Sequence, residues 1–357
     1  MQRQQQLTKW LHSLFPNEPF TLAPASADAS FRRYFRVTLQ KHEQNDGLAH
    51  RRGQPDMHGV SKLVGSFIAM DAPPQREDCR PFLHVARLFE AAGAHVPHLY
   101  AQDLEQGFLL LSDLGNTTYL QALAGGEAGM ARTLYGDATD ALINIQLASR
   151  DNELPPYGEA LLMREMRLFP EWYIAKHLNV TLDDAQNAKL EAVFARIIAN
   201  NLAQPRVYVH RDYHSRNLMK LEDSNPGILD FQDAVYGPIT YDLASLFKDA
   251  YIRWEEADII DWLVRYWEKA RKAGLPVHND FSEFYRDYEW MGVQRHLKVL
   301  GIFARLYHRD GKDGYLKDLP LVMSYLRAAC ARYIDLKPLL NLLDTLEPQI
   351  SKEGYTF

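Results

Sequence analysis

The sequence predicts an α+β fold of two lobes, a smaller strand-rich N-terminal lobe and a larger, mainly helical C-terminal lobe, with a cleft between them. Short strand-like runs are concentrated in the first third of the chain, whereas most of the remaining two thirds shows helical spacing of apolar side chains. The length of 357 residues also suits two lobes better than one compact domain. We place the lobes at residues 1–113 and 114–357.

The first lobe is predicted to be a small sheet accompanied by two helices. A loop of small residues, 23–33, joins its first two strands and is placed to lie over phosphates. Residues 40–62 are polar and are expected to form a surface excursion. We expect helices over residues 2–15 and 81–92, and strands over residues 20–22, 34–39, 66–70, 98–102 and 107–111.

The second lobe is predicted from three helical patterns and a helical C-terminal region. Apolar residues recur at helical spacing over 130–145 and over 161–178, where Pro170 interrupts the pattern. A third helix is expected to begin at Thr181, with Asp184 completing a variant of the capping box. After Tyr241 the chain again has helical patterns.

Residues 206–233 form the stretch around which the chain is organised. A β-branched run, 207–209, leads into a polar loop, and a second apolar run, 218–221, follows it, so two strands are expected to hold the loop. After a turn at 224–227, a third apolar piece, 228–229, ends at an aspartate. The ends of neighbouring strands should therefore carry three polar side chains: Asp212, Asn217 and Asp230.

Asp212 is followed five residues later by Asn217, which is the spacing of a kinase catalytic loop. Phosphoryl transfer needs an acceptor hydroxyl that is oriented and relieved of its proton, and Asp212 suits that role. It also needs Mg²⁺, whose preferred oxygen ligands Asn217 and Asp230 can provide. The competing interpretation is that Asp212 and Asn217 only cap a turn, with His210 in a packed corner.

Other polar residues near this stretch have open roles. His210 is interpreted as a loop organiser, and Asp242, where a helix begins, as a cap or a bond to the catalytic loop rather than a chemical group. Asp233 faces either substrate or solvent. A zinc site formed by His210, Asp212 and His214 is disfavoured, because no further His or Cys has a fitting spacing. Candidate contacts to a polar acceptor are Glu165, Glu171, Trp172, Arg216 and Asp233, although Trp172 suits a core position as well.

Composition excludes several classes of protein. The formal net charge of −6 argues against nucleic acid or an anionic membrane as the main partner. With only Cys79 and Cys330, a disulfide framework is not expected. The first residues lack a signal-peptide pattern and no apolar run is long enough to span a bilayer, so we expect a cytoplasmic protein, and a monomer.

Three motifs resemble the aminoglycoside phosphotransferase and choline kinase superfamily, which has a protein-kinase-like two-lobed fold. They are His210-Arg-Asp212 through Asn217, Ile228-Leu-Asp230-Phe, and residues 237–243, Gly-Pro-x-x-Tyr-Asp-Leu. Within it, the chain is similar to bacterial kinases of cell-wall recycling that phosphorylate the anomeric hydroxyl of N-acetylmuramate and N-acetylglucosamine. That closer resemblance rests on residues 30–36, 70–74, 108–115, 164–173 and 290–298.

The resemblance implies ATP and Mg²⁺ as cofactors and a sugar 1-phosphate as product. It implies Asp212 as base and Asn217 and Asp230 as magnesium ligands. It further places Ser112, Asp113 and Leu114 against adenine, and residues 28–33, among them Ser30, Arg32 and Arg33, over the phosphates.

The first lobe departs from the kinase pattern. The third strand ends at Met70 where kinases carry a phosphate-binding lysine, and the glycine-rich loop is absent. Arg32, Arg33 or Lys62 are candidate replacements. Two rival functions remain: a kinase of an aminoglycoside or amino alcohol, and a nucleotide-binding regulator that has lost catalysis.

Overall fold

The computed structural model describes residues 2–27, 31–40 and 65–347. An antiparallel sheet and two helices make up the first part of the chain, as the sequence predicts. These elements are α1 (Gln2–Leu14), β1 (Phe20–Ala27), β2 (Arg33–Leu39), β3 (Ser66–Asp71), α2 (Arg80–Ala91), β4 (Leu99–Asp103) and β5 (Phe108–Ser112).

The five strands are hydrogen-bonded in the order β1-β2-β3-β5-β4. Alternation along β3 assigns Phe67 and Ala69 to one face and Ile68 and Met70 to the other. Leu7, Leu11 and Phe15, in and just after α1, pack with Phe67 and Ala69, and α2 packs in the larger core that includes Met70. Each face of the sheet is therefore covered by one helix.

The second part of the chain is mainly helical. Its helices are α3 (Tyr119–Ala122), α4 (Ala128–Leu147), α5 (Glu159–Met166), a π-helical segment (Phe169–His177), α6 (Asp184–Ala203), α7 (Tyr241–Phe247), α8 (Glu256–Ala273), α9 (Phe281–Asp310), α10 (Leu319–Arg332) and α11 (Lys337–Leu346), with 3₁₀ turns at Asp313–Asp318 and Ile334–Leu336. Its short strands are β6 (Arg206–Val209), β7 (Leu218–Met219), β8 (Gly227–Ile228) and β9 (Val235–Pro238).

Helix α9 is the central helix of this part. It contacts α5, α6, α7, α10 and the π-helical segment. Gly301 allows a close approach, because an added Cβ would lie 2.4 Å from the backbone carbonyl carbon of Leu168, which directly precedes the π-helical segment. The core of the second part is thus built around α9, which also carries several residues of the candidate active site.

Several details differ from the expectation. Strand β1 extends to Ala27, into the predicted loop 23–33, and the helix predicted over 161–178 is divided into α5 and the π-helical segment, which has Pro170 in its first turn. The helix predicted from Thr181 begins at Asp184, because Asp183 is its N-cap and forms a capping box with Gln186. Strand β9 was not predicted, since Gly237 and Pro238 are typical of turns, yet it pairs antiparallel with β6. Strand β7 is shorter than the predicted 218–221 and pairs with β8, so the strands that flank the loop belong to separate ladders.

Two expectations about the first lobe stay predictions. Apart from Gln40, the surface excursion predicted for residues 40–62 lies outside the described residues. The last strand of the sheet ends at Ser112, and the boundary between residues 113 and 114 stays a prediction. In the described part of the chain, no helix has the length and apolar character needed to cross a membrane.

Candidate active site

His210 holds the loop after β6 in place. The buried imidazole accepts the backbone N–H of Asp212 at Nδ1 (3.2 Å) and donates from Nε2 to the carbonyl of Leu229 (3.0 Å). Burial lowers its pKa to about 4, so the ring is neutral at physiological pH. His210 therefore ties the loop to the residue that precedes Asp230.

A buried carboxylate on α7 fixes the same loop from the other side. Asp242 accepts the backbone N–H groups of His210 (2.7 Å) and Arg211 (3.0 Å). Arg211 has a φ of +78°, a left-handed conformation that is costly for a residue with a Cβ. The two hydrogen bonds offset part of that cost, and burial raises the pKa of Asp242 to about 7.

The loop and the segment after β8 bring Asp212, Asn217 and Asp230 together. The Nδ2 of Asn217 donates to the carbonyl oxygen of Asp212 (2.9 Å) and to Oδ2 of Asp230 (3.3 Å). Asp230 adopts a φ of +63°, and its Oδ1 accepts from Gln232 (2.8 Å). The three side chains predicted from the sequence thus form one cluster.

Positive charge surrounds the carboxylate of Asp212. Burial by itself would raise its pKa, but nearby positive charges, with Lys298 the largest contributor and Arg295 also contributing, bring the pKa below its usual value. A carboxylate at this position is ionised over the physiological range and can accept a proton or a hydrogen bond from a hydroxyl.

A cleft of about 380 Å³ lies between the sheet and this cluster. The segment after β5 forms part of its wall, through Ser112, Asp113 and Leu114. Arg36 of β2 spans the cleft wall with a two-pronged ion pair to Asp113 (2.5 and 2.9 Å). The remaining lining residues are Ala25, Tyr34, Ile68, Phe82, Pro97, Leu111, Gly115, Asn116, Thr118, Arg216, Asn217, Met219, Leu229, Asp230 and Phe231.

A second cleft, of about 410 Å³, lies on the other side of the cluster, against α9. Asp212 lines this cleft and not the first one, whereas Arg216, Asn217 and Asp230 line both. The other lining residues are His214, Tyr241, Ala250, Tyr251, Arg295, Lys298, Val299, Ile302, Phe303, Leu306 and Tyr315. The two clefts therefore meet at the residues predicted to hold a cation.

The donor set at this junction suits Mg²⁺. Because Asn217 donates from Nδ2, its Oδ1 is the atom left to bind a cation, and Asp230 supplies carboxylate oxygens beside it. One carboxylate and one amide oxygen, completed by waters and phosphate oxygens, is a ligand set typical of Mg²⁺ in phosphoryl-transfer enzymes. Among the described residues no cluster of His, Cys, Asp and Glu suits a transition metal.

The residues predicted to lie over phosphates are described only in part. Ser30 and Lys62 lie outside the described residues. Arg32 forms an ion pair with Glu77 (3.4 Å), and Arg33 pairs with the buried carboxylate of Asp71. Neither arginine lines the first cleft, so their contact with phosphates stays a prediction.

The structure does not bring together the five residues predicted to contact the acceptor. Glu165 is buried beneath the loop, bonded to Tyr157, Arg211 and Lys298. Glu171 is exposed in a groove outside both clefts, and Trp172 packs against the core. Asp233 is exposed, and its carbonyl accepts from Arg211 (3.3 Å). Of this group only Arg216 lines the clefts.

Three charged cleft residues were not predicted. Arg295 and Lys298 lie three residues apart on α9, and with Val299, Ile302 and Leu306 they follow the spacing of one helical face. Arg36 shares one face of β2 with Tyr34, and both line the first cleft. The helical spacing on α9 and the strand alternation on β2 are the sequence signals from which these three residues could have been predicted.

Comparison with known proteins gives the family. A model of the phosphotransferase enzyme family matches residues 21–281. The chain belongs to the phosphotransferase enzyme family. Membership accords with the cluster of Asp212, Asn217 and Asp230 and with the kinase-like order of sheet, connector and helices, and it identifies the chain as a kinase.

Two curated relatives of this phosphotransferase match along its whole length. One from Neisseria meningitidis serogroup B is 46% identical over 100% of both chains, and one from Pseudomonas aeruginosa is 48% identical over 96% of this chain and 97% of its own. Both are named N-acetylmuramate/N-acetylglucosamine kinase. The same fold occurs in an ADP-bound aminoglycoside phosphotransferase, with a TM-score of 0.55 at 13% identity over 90% of this chain and 97% of that one.

Proposed function

We propose that this phosphotransferase transfers the γ-phosphoryl group of ATP to the anomeric hydroxyl of N-acetylmuramate and N-acetylglucosamine. The observation that carries the proposal is the position of Asp212, which lines the second cleft where that cleft meets the first. The full-length relatives named for these two sugars support the choice of acceptor. The sugar 1-phosphate is then used to recycle cell-wall sugars. The reaction takes place in the cytoplasm, where ATP is present.

The first cleft is the proposed site of ATP, and the second is the proposed site of the sugar. Ser112, Asp113 and Leu114 lie where the adenine is expected, at the end of the sheet. The acceptor oxygen reaches the γ-phosphorus at the junction of the clefts, where Arg216 is available to the phosphoryl oxygens.

Asp212 acts on the acceptor hydroxyl. The bond between the anomeric oxygen and the γ-phosphorus forms while the bond from that phosphorus to the bridging oxygen breaks, and ADP leaves. The hydroxyl proton passes to the carboxylate of Asp212, which is ionised because of the positive charge around it. Mg²⁺ bound at Asn217 and Asp230 would neutralise phosphate charge.

The charge of the second cleft argues against a cationic acceptor. Arg216, Arg295 and Lys298 line the cleft beside Asp212 and Asp230. An aminoglycoside or amino alcohol would bring further positive charge next to these cations, at a Coulombic cost. An inactive regulator is also disfavoured, because nucleotide binding alone does not require an acid in the second cleft.

The proposal is tested by the variant Asp212→Asn. Wild-type protein is expected to release ADP with both sugars and to give a product whose phosphorus couples to the anomeric proton in NMR spectra. Loss of the carboxylate should lower kcat by at least about a hundredfold, with nucleotide affinity retained, as measured by calorimetry with a non-hydrolysable ATP analogue.

Asp223→Asn is the matched control, since it makes the same change at an exposed turn between β7 and β8. It should keep the wild-type rate. Absence of ADP release with either sugar, or wild-type turnover in Asp212→Asn, would contradict the proposal.

A further inference from the structure

Arg295 is a buried cation with no counter-ion in the described part of the chain. Only 4% of its surface is exposed, and its Nη1 atom has no hydrogen-bond partner. Among the described residues no carboxylate lies within ion-pair distance of its guanidinium. Burial of an unpaired charge is unfavourable. The guanidinium of Arg295 therefore lowers the stability of the folded protein unless a ligand supplies the missing anion.

Two other charged groups of the second cleft, Lys298 and Asp230, have partners in the protein. Lys298 pairs with Glu165 (3.1 Å) and donates to the hydroxyl of Tyr241 (3.0 Å). The carboxylate of Asp230 accepts hydrogen bonds from Asn217 and Gln232, and that of Asp212 is the proposed acceptor of the proton of the sugar hydroxyl. Lys298 is therefore neutralised by Glu165, whereas Arg295 lines the cleft without an ion-pair partner among the described residues, which favours an anionic group of the acceptor beside it.

The buried carboxylate of Asp242 does not neutralise Arg295 either. Asp242 is within electrostatic range of the guanidinium, but its two oxygens accept the backbone N–H groups of the catalytic loop. Arg295 lines the second cleft together with Asp212, which places its charge near the acceptor end of the cleft. Its guanidinium therefore lies close to where the sugar is phosphorylated.

We infer that Arg295 binds a carboxylate of the acceptor and so makes the second cleft selective for acidic sugars. This inference rests on the proposed function and extends it. N-acetylmuramate carries a lactyl ether that ends in a carboxylate, whereas N-acetylglucosamine has a hydroxyl at that carbon. A planar guanidinium suits such a group, because it can donate two parallel hydrogen bonds to one carboxylate.

Arg216 is the competing cation, and its position suits another role. It lines both clefts, and its guanidinium lies 3.5 Å from the ring centroid of Tyr251. A cation at the junction faces the phosphoryl group in transfer. Arg295 lines only the second cleft, on the side formed by α9.

The first measurement uses wild-type protein and three acceptors: N-acetylmuramate, the amide of its lactyl carboxylate, and N-acetylglucosamine. The ratio of kcat/KM for the acid to that for the amide reports recognition of the carboxylate. We expect the acid to be preferred by about tenfold or more, since hydrogen bonds to charged groups are the stronger ones. A ratio near one would overturn the inference while leaving the kinase activity established.

The second measurement repeats this ratio in Arg295→Gln, Arg216→Gln and Arg309→Gln. Arg309 lies on the same helix, about 21 Å along its axis, and is exposed. Only Arg295→Gln should reduce the ratio, to about twofold or less. A purely structural or electrostatic role through Asp212 would slow all three acceptors equally and leave the ratio unchanged.

The remaining outcomes also decide the matter. If Arg216→Gln removes the preference instead, the assignment to Arg295 is wrong. If Arg295→Gln does not fold, the ratio is measured in Arg295→Lys, which keeps the charge without the planar fork and should lower the ratio severalfold; an unchanged ratio there overturns the inference. No ADP release from any acceptor by wild-type protein would instead refute the proposed function.

Discussion

At the scale of single residues, Glu165 connects the catalytic loop to two helices. Its carboxylate accepts from Arg211 of the loop and pairs with Lys298 of α9, while Glu165 itself belongs to α5. Burial would raise the pKa of Glu165, but Lys298 and Arg211 bring it below its usual value. The side chain thus acts on the site through its neighbours, from beneath the loop.

Glu165→Gln is expected to destabilise the protein and slow turnover. The change leaves Arg211 and Lys298 buried without their anion, and breaking a buried ion pair costs about 3–5 kcal/mol. We expect the melting temperature to fall by roughly 5–10 °C, together with kcat. Differential scanning calorimetry and ADP release measure the two effects.

Glu171→Gln provides the control, because Glu171 is exposed in the next helical segment and bonds to none of these groups. Its melting temperature should match the wild type within about a degree. Equal effects of the two substitutions would show that the buried network is not what stabilises the loop.

The site residues differ in how far they could be predicted. Asp212, Asn217 and Asp230 lie close together in the chain, and local strands and turns suffice to bring them together. Arg295 and Lys298 reach the same cleft from a helix much later in the chain, and their role depends on how α9 packs. Their helical spacing indicates that they share one face of α9, but no short-range pattern shows what that face packs against, whereas the spacing of the loop residues itself indicates the site.

At the scale of elements, the close packing of α9 against the start of the π-helical segment depends on Gly301. A methyl group there would meet backbone and side-chain atoms of Leu168, and a helix backbone has little freedom to move away. Gly292 lies on the same helix, but its added Cβ would be 3.6 Å from the nearest atom, which belongs to the His296 ring, and that is an ordinary contact distance.

Gly301→Ala is therefore expected to lower the free energy of unfolding by about 1–3 kcal/mol, as overpacking does. Gly292→Ala should be neutral or stabilising, since alanine is favoured over glycine in a helix by about 1 kcal/mol. Chemical denaturation of the two variants measures the difference. A loss of stability as large in Gly292→Ala as in Gly301→Ala would contradict the packing argument.

Most elements could be predicted because their apolar periodicity is strong. Four of the five sheet strands and the helices α1, α2 and α4 lie within about two residues of their predicted bounds, whereas β1 extends to Ala27, into the predicted loop 23–33. The start of α6 was predicted at Thr181, with Asp184 as its capping partner. In the structure Asp183 is the N-cap instead, because it forms the reciprocal hydrogen bonds of a capping box with Gln186. Strand β9 was missed because its pairing with β6 overrides the turn preference of Gly237 and Pro238.

At the scale of the whole molecule, histidines buried in the neutral form link stability to pH. Burial lowers the pKa of His214 and His296, and it lowers that of His210 to about 4. The unfolded chain binds more protons at these positions below the usual histidine pKa, so folding stability is lost as the pH falls. Asp242 acts in the opposite sense, since its pKa is raised to about 7.

Because we expect the three buried histidines to outweigh Asp242, Asp287 and Asp318, whose pKa values are raised by burial, the melting temperature should rise by roughly 5 °C or more between about pH 5 and pH 7. His296→Phe is expected to flatten this rise, since it removes one buried titrating ring while an aromatic ring still stacks on Tyr325. Calorimetry across the pH range tests both statements. A melting temperature that falls toward neutral pH would show that the carboxylates dominate.

The two-lobed architecture could be predicted from the order of elements along the chain. The shape of the clefts is not contained in that order, because residues from the sheet, the loop and α9 meet only after folding. The phosphate contacts of the first lobe are open for a related reason, since Ser30 and Lys62 lie in segments outside the described residues.

Arg216, Asn217 and Asp230 form a wall common to both clefts. Occupancy of one cleft by a charged ligand must therefore change the affinity of the other, by the same factor in each direction. A single inhibitor that joins a nucleotide mimic to an acidic sugar mimic across this wall would convert two weak binding events into one, with a high effective concentration for the second. The shared wall is thus the point at which selectivity for this kinase over other nucleotide-dependent enzymes can be designed.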